Sequence, residues 1–216
     1  MNPADAEAIP SHDCARCPRL AGFRNAQRAE HPDWFNGPVP SFGQRDARLL
    51  IVGLAPGLRG ANRTGRPFTG DYAGDLRYAT LSKFGLAEGV YDRRADDGYA
   101  LSGTRIANAV RCVPPENKPL PAEIAACRPF FQSELRGLAQ LKALLALGQI
   151  AHQQVLAAYG LRQAAYRFAH GAIHTLPSGL FLADSYHCSR YNTNTGRLTT
   201  AMFEAVFTGL LPLLEA

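Results

Sequence analysis

Residues 53 to 71 read GLAPGLRGANRTGRPFTGD, with five glycines, two prolines, three arginines and a single acid, Asp71, at the end. Glycine-rich turns let a backbone approach a ligand closely, and aligned N–H groups can hold an anion. The triphosphate pattern G-x-x-x-x-G-K followed by Ser or Thr is absent, as is the dinucleotide pattern G-x-G-x-x-G. A long surface turn is the plainer alternative. A second stretch, SYHCSRYNTNTGRL (185–198), sets His187 just after an apolar run and follows it with small polar residues and arginine. Taken singly, His187, or Asn108 in TRIANAVRC, is more often structural than functional. The cysteines form two pairs, Cys14 and Cys17 as C-x2-C, Cys112 and Cys127 as C-x14-C, with Cys188 left over. Two pairs on separate loops are the raw material of a four-thiolate metal centre, zinc or iron–sulfur. C-x2-C also arises by coincidence. The other histidines share no metal-ligand spacing with His187, which excludes an HExxH-type zinc hydrolase.

The elements that must position these residues alternate. ARLLIVG (47–53) is a short apolar run ended by glycine, the mark of a strand buried on both faces. Residues 74–85 carry apolar side chains at helical spacing, closed by Gly85. TRIANAVRC (104–112) reads as a second strand delivering Asn108 and Cys112. A helix follows from Pro121, then the strand LKALLALG, a helix ending at Gly160, and the apolar stretches GAIHTLP and LFLADSYH. A last helix is expected from about Thr195 to Leu211, with Asn194 or Thr195 as N-cap. Alternation of this kind predicts an α/β domain with a mostly parallel sheet and helices on both faces, residues 1–46 forming an N-terminal arm that brings two of the cysteines. Loops 54–71, 108–118 and 187–197 then fall at the carboxyl ends of strands, where ligands bind in open α/β sheets.

With 216 residues, 46 % hydrophobic and 19 % charged, the chain suits one compact domain and neither disorder nor a coiled coil. No apolar run approaches the ~20 residues of a membrane span, and the start lacks the features of a secretion signal. A cytoplasmic monomer with no membrane partner is expected. The net charge of +5 comes from twenty arginines against three lysines. Arginine suits bidentate phosphate recognition; a compositional bias is the bland reading. Residues 47–70 hold Arg48, Arg59, Arg63 and Arg66 and no acid, and residues 185–200 hold Arg190 and Arg197 and no acid.

Taken together, GLAPGLRGANRTGRPFTGD, NAVRC, the four cysteines and HCSRYNTNTGRLT resemble the iron–sulfur uracil-DNA glycosylases of the type-b group, family five, over nearly the whole chain. The resemblance implies a three-layer α/β/α fold and base-excision repair of DNA containing uracil or another deaminated base such as hypoxanthine. It also implies a [4Fe–4S] cluster on Cys14, Cys17, Cys112 and Cys127 that braces a DNA-binding loop. Cys188 stands where the family usually has proline and becomes an extra free thiol. Leu54 and Ala55 occupy the place where related groups carry a polar water activator, which moves that burden to Asp71.

The implied chemistry explains the residue types. Cutting the C1′–N1 bond builds positive charge on the sugar and negative charge on the departing base. Asp71 would stabilise the sugar cation, His187 would donate to uracil O2, as an oxyanion site does, and Asn108 would read the base edge. Gly53, Ala55, Pro56, Gly57 and Phe68 would contact the everted base, with Phe68 stacked on it. Arg59, Arg63 and Arg66 are expected on backbone phosphates, Arg190 or Tyr191 as a wedge in the duplex, and Arg197 near phosphate. A non-catalytic iron–sulfur module that binds nucleic acid is the competing expectation.

Overall fold

A computed structural model describes residues 9–70 and 72–215 of the chain. The first helix, α1 (Pro18–Glu30), opens with proline at its first position, where no N–H is needed. Strand β1 (Leu49–Gly53) follows, buried along its whole length. A short helix α2 (Ala61–Thr64) lies in the long loop, and α3 (Tyr72–Lys83) leaves it. A small antiparallel pair, β2 (Ala87–Glu88) and β3 (Ala100–Leu101), precedes β4 (Thr104–Asn108). Then come α4 (Pro121–Arg136), β5 (Ala143–Leu147), α5 (Gln149–Ala158), β6 (Ile173–Thr175) and β7 (Phe181–Ser185). Three helices close the chain: α6 (Arg190–Asn194), α7 (Thr200–Leu210) and α8 (Pro212–Glu215).

The main sheet runs β4-β1-β5-β7-β6, parallel except for β6 at one edge. Side-chain alternation along a strand then sorts its residues between two layers. Leu49 and Ile51 of β1 join Ile106, Leu145, Tyr78 and Leu81 of α3, and Phe203 and Phe207 of α7. Leu50 and Val52 face the opposite way, onto Ala107, Leu144, Phe131 of α4, and Val155 and Leu156 of α5. The result is the expected three-layer α/β/α arrangement, and its core lies on both faces of the sheet. A third cluster ties Leu20 of α1 to Val110, Ile124 and Cys127. No helix among the described residues is long and apolar enough to cross a membrane.

Two expected boundaries move. The strand 104–112 ends at Asn108, after which Ala109 and Val110 donate to the carbonyls of Gly53 and Leu54 at 2.9 and 2.8 Å. The single last helix is split. Gly196 takes a left-handed φ of +70°, which halts α6, and Thr199 rather than Asn194 or Thr195 caps α7 by accepting from the Met202 N–H at 3.2 Å.

Candidate active site

The segments that follow the carboxyl ends of β1, β5 and β7, joined by Asn117 from the loop after β4, enclose one pocket of about 580 Å³. Its wall is made by Leu54, Ala55, Gly57 and Phe68 after β1, by Leu147 through Ala151 at the join of β5 and α5, and by His187, Ser189 and Arg190 after β7. Gly53 lies directly beneath. In register it faces Asn108, the last residue of β4. A methyl group on Gly53 would overlap both the Phe68 ring and Asn108 Oδ1, so glycine here is what lets those two groups approach each other. Pro56 is buried and stands back from the pocket wall.

Phe68 is held in a left-handed backbone conformation, φ +54°, which is costly for a bulky residue and persists only where the surroundings fix it. Here the Arg77 guanidinium lies 3.5 Å from the centre of its ring. The Phe68 carbonyl sits so close to Gly74 that no side chain fits there. Asn108 is 1 % exposed, and its Oδ1 has no hydrogen-bond partner among the described residues. An orphaned buried acceptor carries a desolvation cost that a ligand N–H would remove.

His187 follows β7 by two residues. Its carbonyl accepts from Asn192 Nδ2 at 2.8 Å, which pins the turn. Burial, and after it the charge of Arg77, lowers the imidazole pKa to about 4. The ring is therefore neutral at physiological pH, with one N–H to donate. The structure thus brings His187 and Phe68 to one pocket, while Asn108 lies buried behind its wall, its Oδ1 close to the Phe68 ring across Gly53. Asp71, the sequence's candidate carboxylate, lies outside the described residues. Cys188, next to His187, is fully buried, and burial raises its thiol pKa.

The expected phosphate group of arginines divides. Arg59 and Arg63 are exposed on the loop, and Arg190, Tyr191 and Arg197 are exposed beyond β7. Arg66 is a correction: it is buried, paired through both terminal nitrogens to Asp97 at 2.7 Å, and packed against the rings of Phe42, Tyr78 and Tyr91. A guanidinium committed in this way cannot reach a phosphate. It locks the long loop to the segment before β3.

Cys14, Cys17, Cys112 and Cys127 line a second, small cavity together with Leu20, Val110 and Phe130. Donors point at the sulfurs: Arg24 Nη1 lies 3.3 Å from Cys112 Sγ, and the Arg111 backbone N–H lies 3.4 Å from Cys127 Sγ. Burial pushes the Cys127 thiol up to about 11 and raises Cys17 and Cys112 as well. Tetrahedral zinc would hold thiolates about 3.8 Å apart. Among the described residues the group of three or more metal-binding donors within 4.8 Å of one another is instead His152, His174 and Asp184. The four thiols share one cavity with N–H donors aimed at two of the sulfurs, a donor set of the kind that holds a four-thiolate metal centre, zinc or iron–sulfur. From Cys112 the chain runs on to Asn117, which lines the large pocket.

The histidine group is a structural tie. His152 Nδ1 meets Asp184 Oδ1 at 2.7 Å and its Nε2 meets the Tyr166 carbonyl at 2.9 Å, so both nitrogens face acceptors. Burial pushes that imidazole down, and these bonds more than offset it, so its pKa is raised. Sequence spacing could not show this group, nor Arg77 behind Phe68, because each is assembled from distant elements.

The family model described as the uracil DNA glycosylase superfamily matches residues 40–211 of the chain. A type-5 uracil-DNA glycosylase of Thermus thermophilus is 47 % identical, over 88 % of this chain and 89 % of its own. One of Mycobacterium leprae is 42 % identical over 90 % and 88 %, and one of Pyrobaculum aerophilum 39 % identical over 87 % and 83 %.

Proposed function

The chain belongs to the uracil-DNA glycosylase superfamily, and from that premise we propose that it is a monofunctional glycosylase that everts uracil from DNA and hydrolyses its N-glycosidic bond, leaving an abasic site. The observation that supports this reading is the pocket walled by Phe68 and a neutral His187 imidazole, with the orphaned Asn108 Oδ1 packed close behind Phe68. Uracil stacks on Phe68. Its N3–H donates to Asn108 Oδ1, its O4 accepts from Asn108 Nδ2, and its O2 accepts from the His187 N–H. Cytosine presents an acceptor at N3, which would face the Asn108 oxygen and be rejected.

As the C1′–N1 bond breaks, its electron pair passes to the base, and the His187 N–H meets the charge collecting on O2. The sugar is left as an oxocarbenium-like cation. Asp71 supplies the counter-charge and takes a proton from the water whose oxygen bonds to C1′. Hypoxanthine offers a similar N–H and carbonyl pair, and a pocket of about 580 Å³ has room for a purine. Arg59, Arg63, Arg190 and Arg197 hold backbone phosphates around the mouth, while Tyr191, 71 % exposed, is placed to fill the gap left in the stack. The enzyme works as a monomer.

Cys14, Cys17, Cys112 and Cys127 would hold a [4Fe–4S] cluster. When bound, it supplies a four-point cross-link among the N-terminal arm, the turn after β4 and α4. These residues thereby fix the 112–117 segment against the DNA side of the pocket. The test of the function is an excision assay on oligonucleotides bearing uracil, hypoxanthine or thymine opposite each partner base. Release of uracil with no release of thymine is expected. Tight binding without release of any base would instead support a non-catalytic nucleic-acid module.

A further inference from the structure

One buried charge takes no part in the chemistry above. Arg77 of α3 is fully buried, and none of its three guanidinium nitrogens has a hydrogen-bond partner among the described residues. The Cys188 thiol lies beside it, a weak and uncharged neighbour that leaves the guanidinium without a counter-charge. The other buried arginines of the two sites are tied. Arg24 donates to the Cys14 carbonyl at 3.0 Å as well as to Cys112, and Arg66 is paired with Asp97. An unpaired guanidinium in an apolar interior is expensive, and a fold keeps one where negative charge comes to meet it.

The position of Arg77 says where that charge arises. It covers one face of the Phe68 ring at 3.5 Å, and Phe68 is a wall of the pocket. On the reading of the site given above, we infer that Arg77 is a positioning residue whose charge, acting through the Phe68 ring, stabilises the anion that forms on the expelled base. After burial, the same charge opposes protonation of His187, so the positive potential of the pocket stays on a group that never releases a proton. A base stacked on the far side of Phe68, in van der Waals contact at about 3.5 Å, lies roughly 7 Å from the guanidinium. At an effective dielectric of about 20, a unit charge at that distance is worth on the order of 50-fold in rate.

The experiment compares single-turnover release of uracil and of 5-fluorouracil, a more acidic leaving group, by the parent enzyme, Arg77→Met and Arg77→Lys. Arg77→Met is expected to lose on the order of 50-fold on uracil and distinctly less on 5-fluorouracil, because the better leaving group needs the charge less. Arg77→Lys should recover part of the uracil rate. Equal losses on both bases, or no loss, would overturn the inference. Should neither variant fold, the parent protein still decides: at mildly alkaline pH, where more of it is anion, free 5-fluorouracil must bind more tightly than free uracil, and equal affinities refute the role. Uracil release by the parent tests the reading of the site itself, so the two failures are distinguishable.

Discussion

Gly53→Ala probes the site with a single methyl group. Gly53 does not have a left-handed φ, so alanine imposes no backbone strain and the effect is one of space alone. The new Cβ would lie 3.1 Å from Phe68 Cε1 and overlap Phe68 Cζ and Asn108 Oδ1 outright. Restoring a contact of about 3.5 Å requires a displacement of about 1 Å. The ring cannot simply retreat, because Arg77 covers one of its faces and the Phe68 backbone is pressed against Gly74. Overpacking of this kind costs about 1–3 kcal/mol, which lowers Tm by roughly 2–12 °C in a chain of this size. A misplacement of about 1 Å in the groups that hold the base costs on the order of 100-fold in rate. Activity should therefore fall far more than stability. Single-turnover uracil excision and thermal unfolding measure the two, with Gly22→Ala in α1 as control, where the space around the new methyl is open and helix propensity should raise stability by up to about 1 kcal/mol. A Gly53→Ala protein that excises uracil at the parent rate would falsify the assignment of Phe68 and Asn108 to the base.

Four further outcomes are expected. Asp71→Asn should lose on the order of 100- to 1,000-fold in single-turnover excision while keeping its affinity for uracil-containing DNA, since the lost counter-charge acts in the transition state; a gel-shift and a rate measurement on the same preparation separate the two. Cys127→Ala should remove the brown colour of anaerobically purified protein and lower its Tm, and iron and zinc analysis of the parent distinguishes a cluster from a zinc centre. His187 ring resonances in an NMR titration should stay unshifted from pH 7 to pH 5 and move only near pH 4; because the folded pKa lies below the unfolded value of about 6.5, this group takes stability away as pH falls through that window. Asp97→Asn should destabilise by about 3–5 kcal/mol by leaving Arg66 buried without a counter-charge. Burial pushes the Asp97 carboxyl up, but Arg66 and the N–H groups of Asp92 and Tyr99 more than offset it, so the pair's contribution is full above about pH 4 and is lost on further acidification. Paired melts of parent and variant across that range check it.

The main parallel strands were legible because burial on both faces leaves short unbroken apolar runs, as in LLIVG and ALLAL, whose parallel sense follows from the helices between them. Their order in the sheet, and the short pair β2 and β3, were not. Nor was the C-terminal helix. NTNTGRLT contains several residues able to cap a helix, and only the left-handed turn at Gly196 selects Thr199. For the site, chain order placed Asn108 and His187 at or just beyond strand ends; His187 and Phe68 line the pocket, and Asn108 is buried close behind Phe68. The glycine at position 53 was visible as loop composition, but its reason is visible only across the sheet, where it faces Asn108.

The arginines show why the rest could not be read. Within the sequence, Arg59, Arg63, Arg66 and Arg77 are equivalent cations near one loop. Their fates depend on acids and rings elsewhere in the chain. Asp97, 31 residues away, draws Arg66 inward, while Arg59 and Arg63 stay in water and remain able to meet phosphate. Arg77 is carried inward by α3, whose buried side joins the polar Arg77 and Thr80 to Tyr78 and Leu81 of the core. A cation in solvent attracts a polyanion over its whole length, whereas one buried behind Phe68 can act only on charge that forms within the pocket. If the inference about Arg77 holds, substituting Arg59 or Arg63 should change the salt dependence of DNA binding and leave the uracil to 5-fluorouracil ratio untouched, while substituting Arg77 should do the reverse.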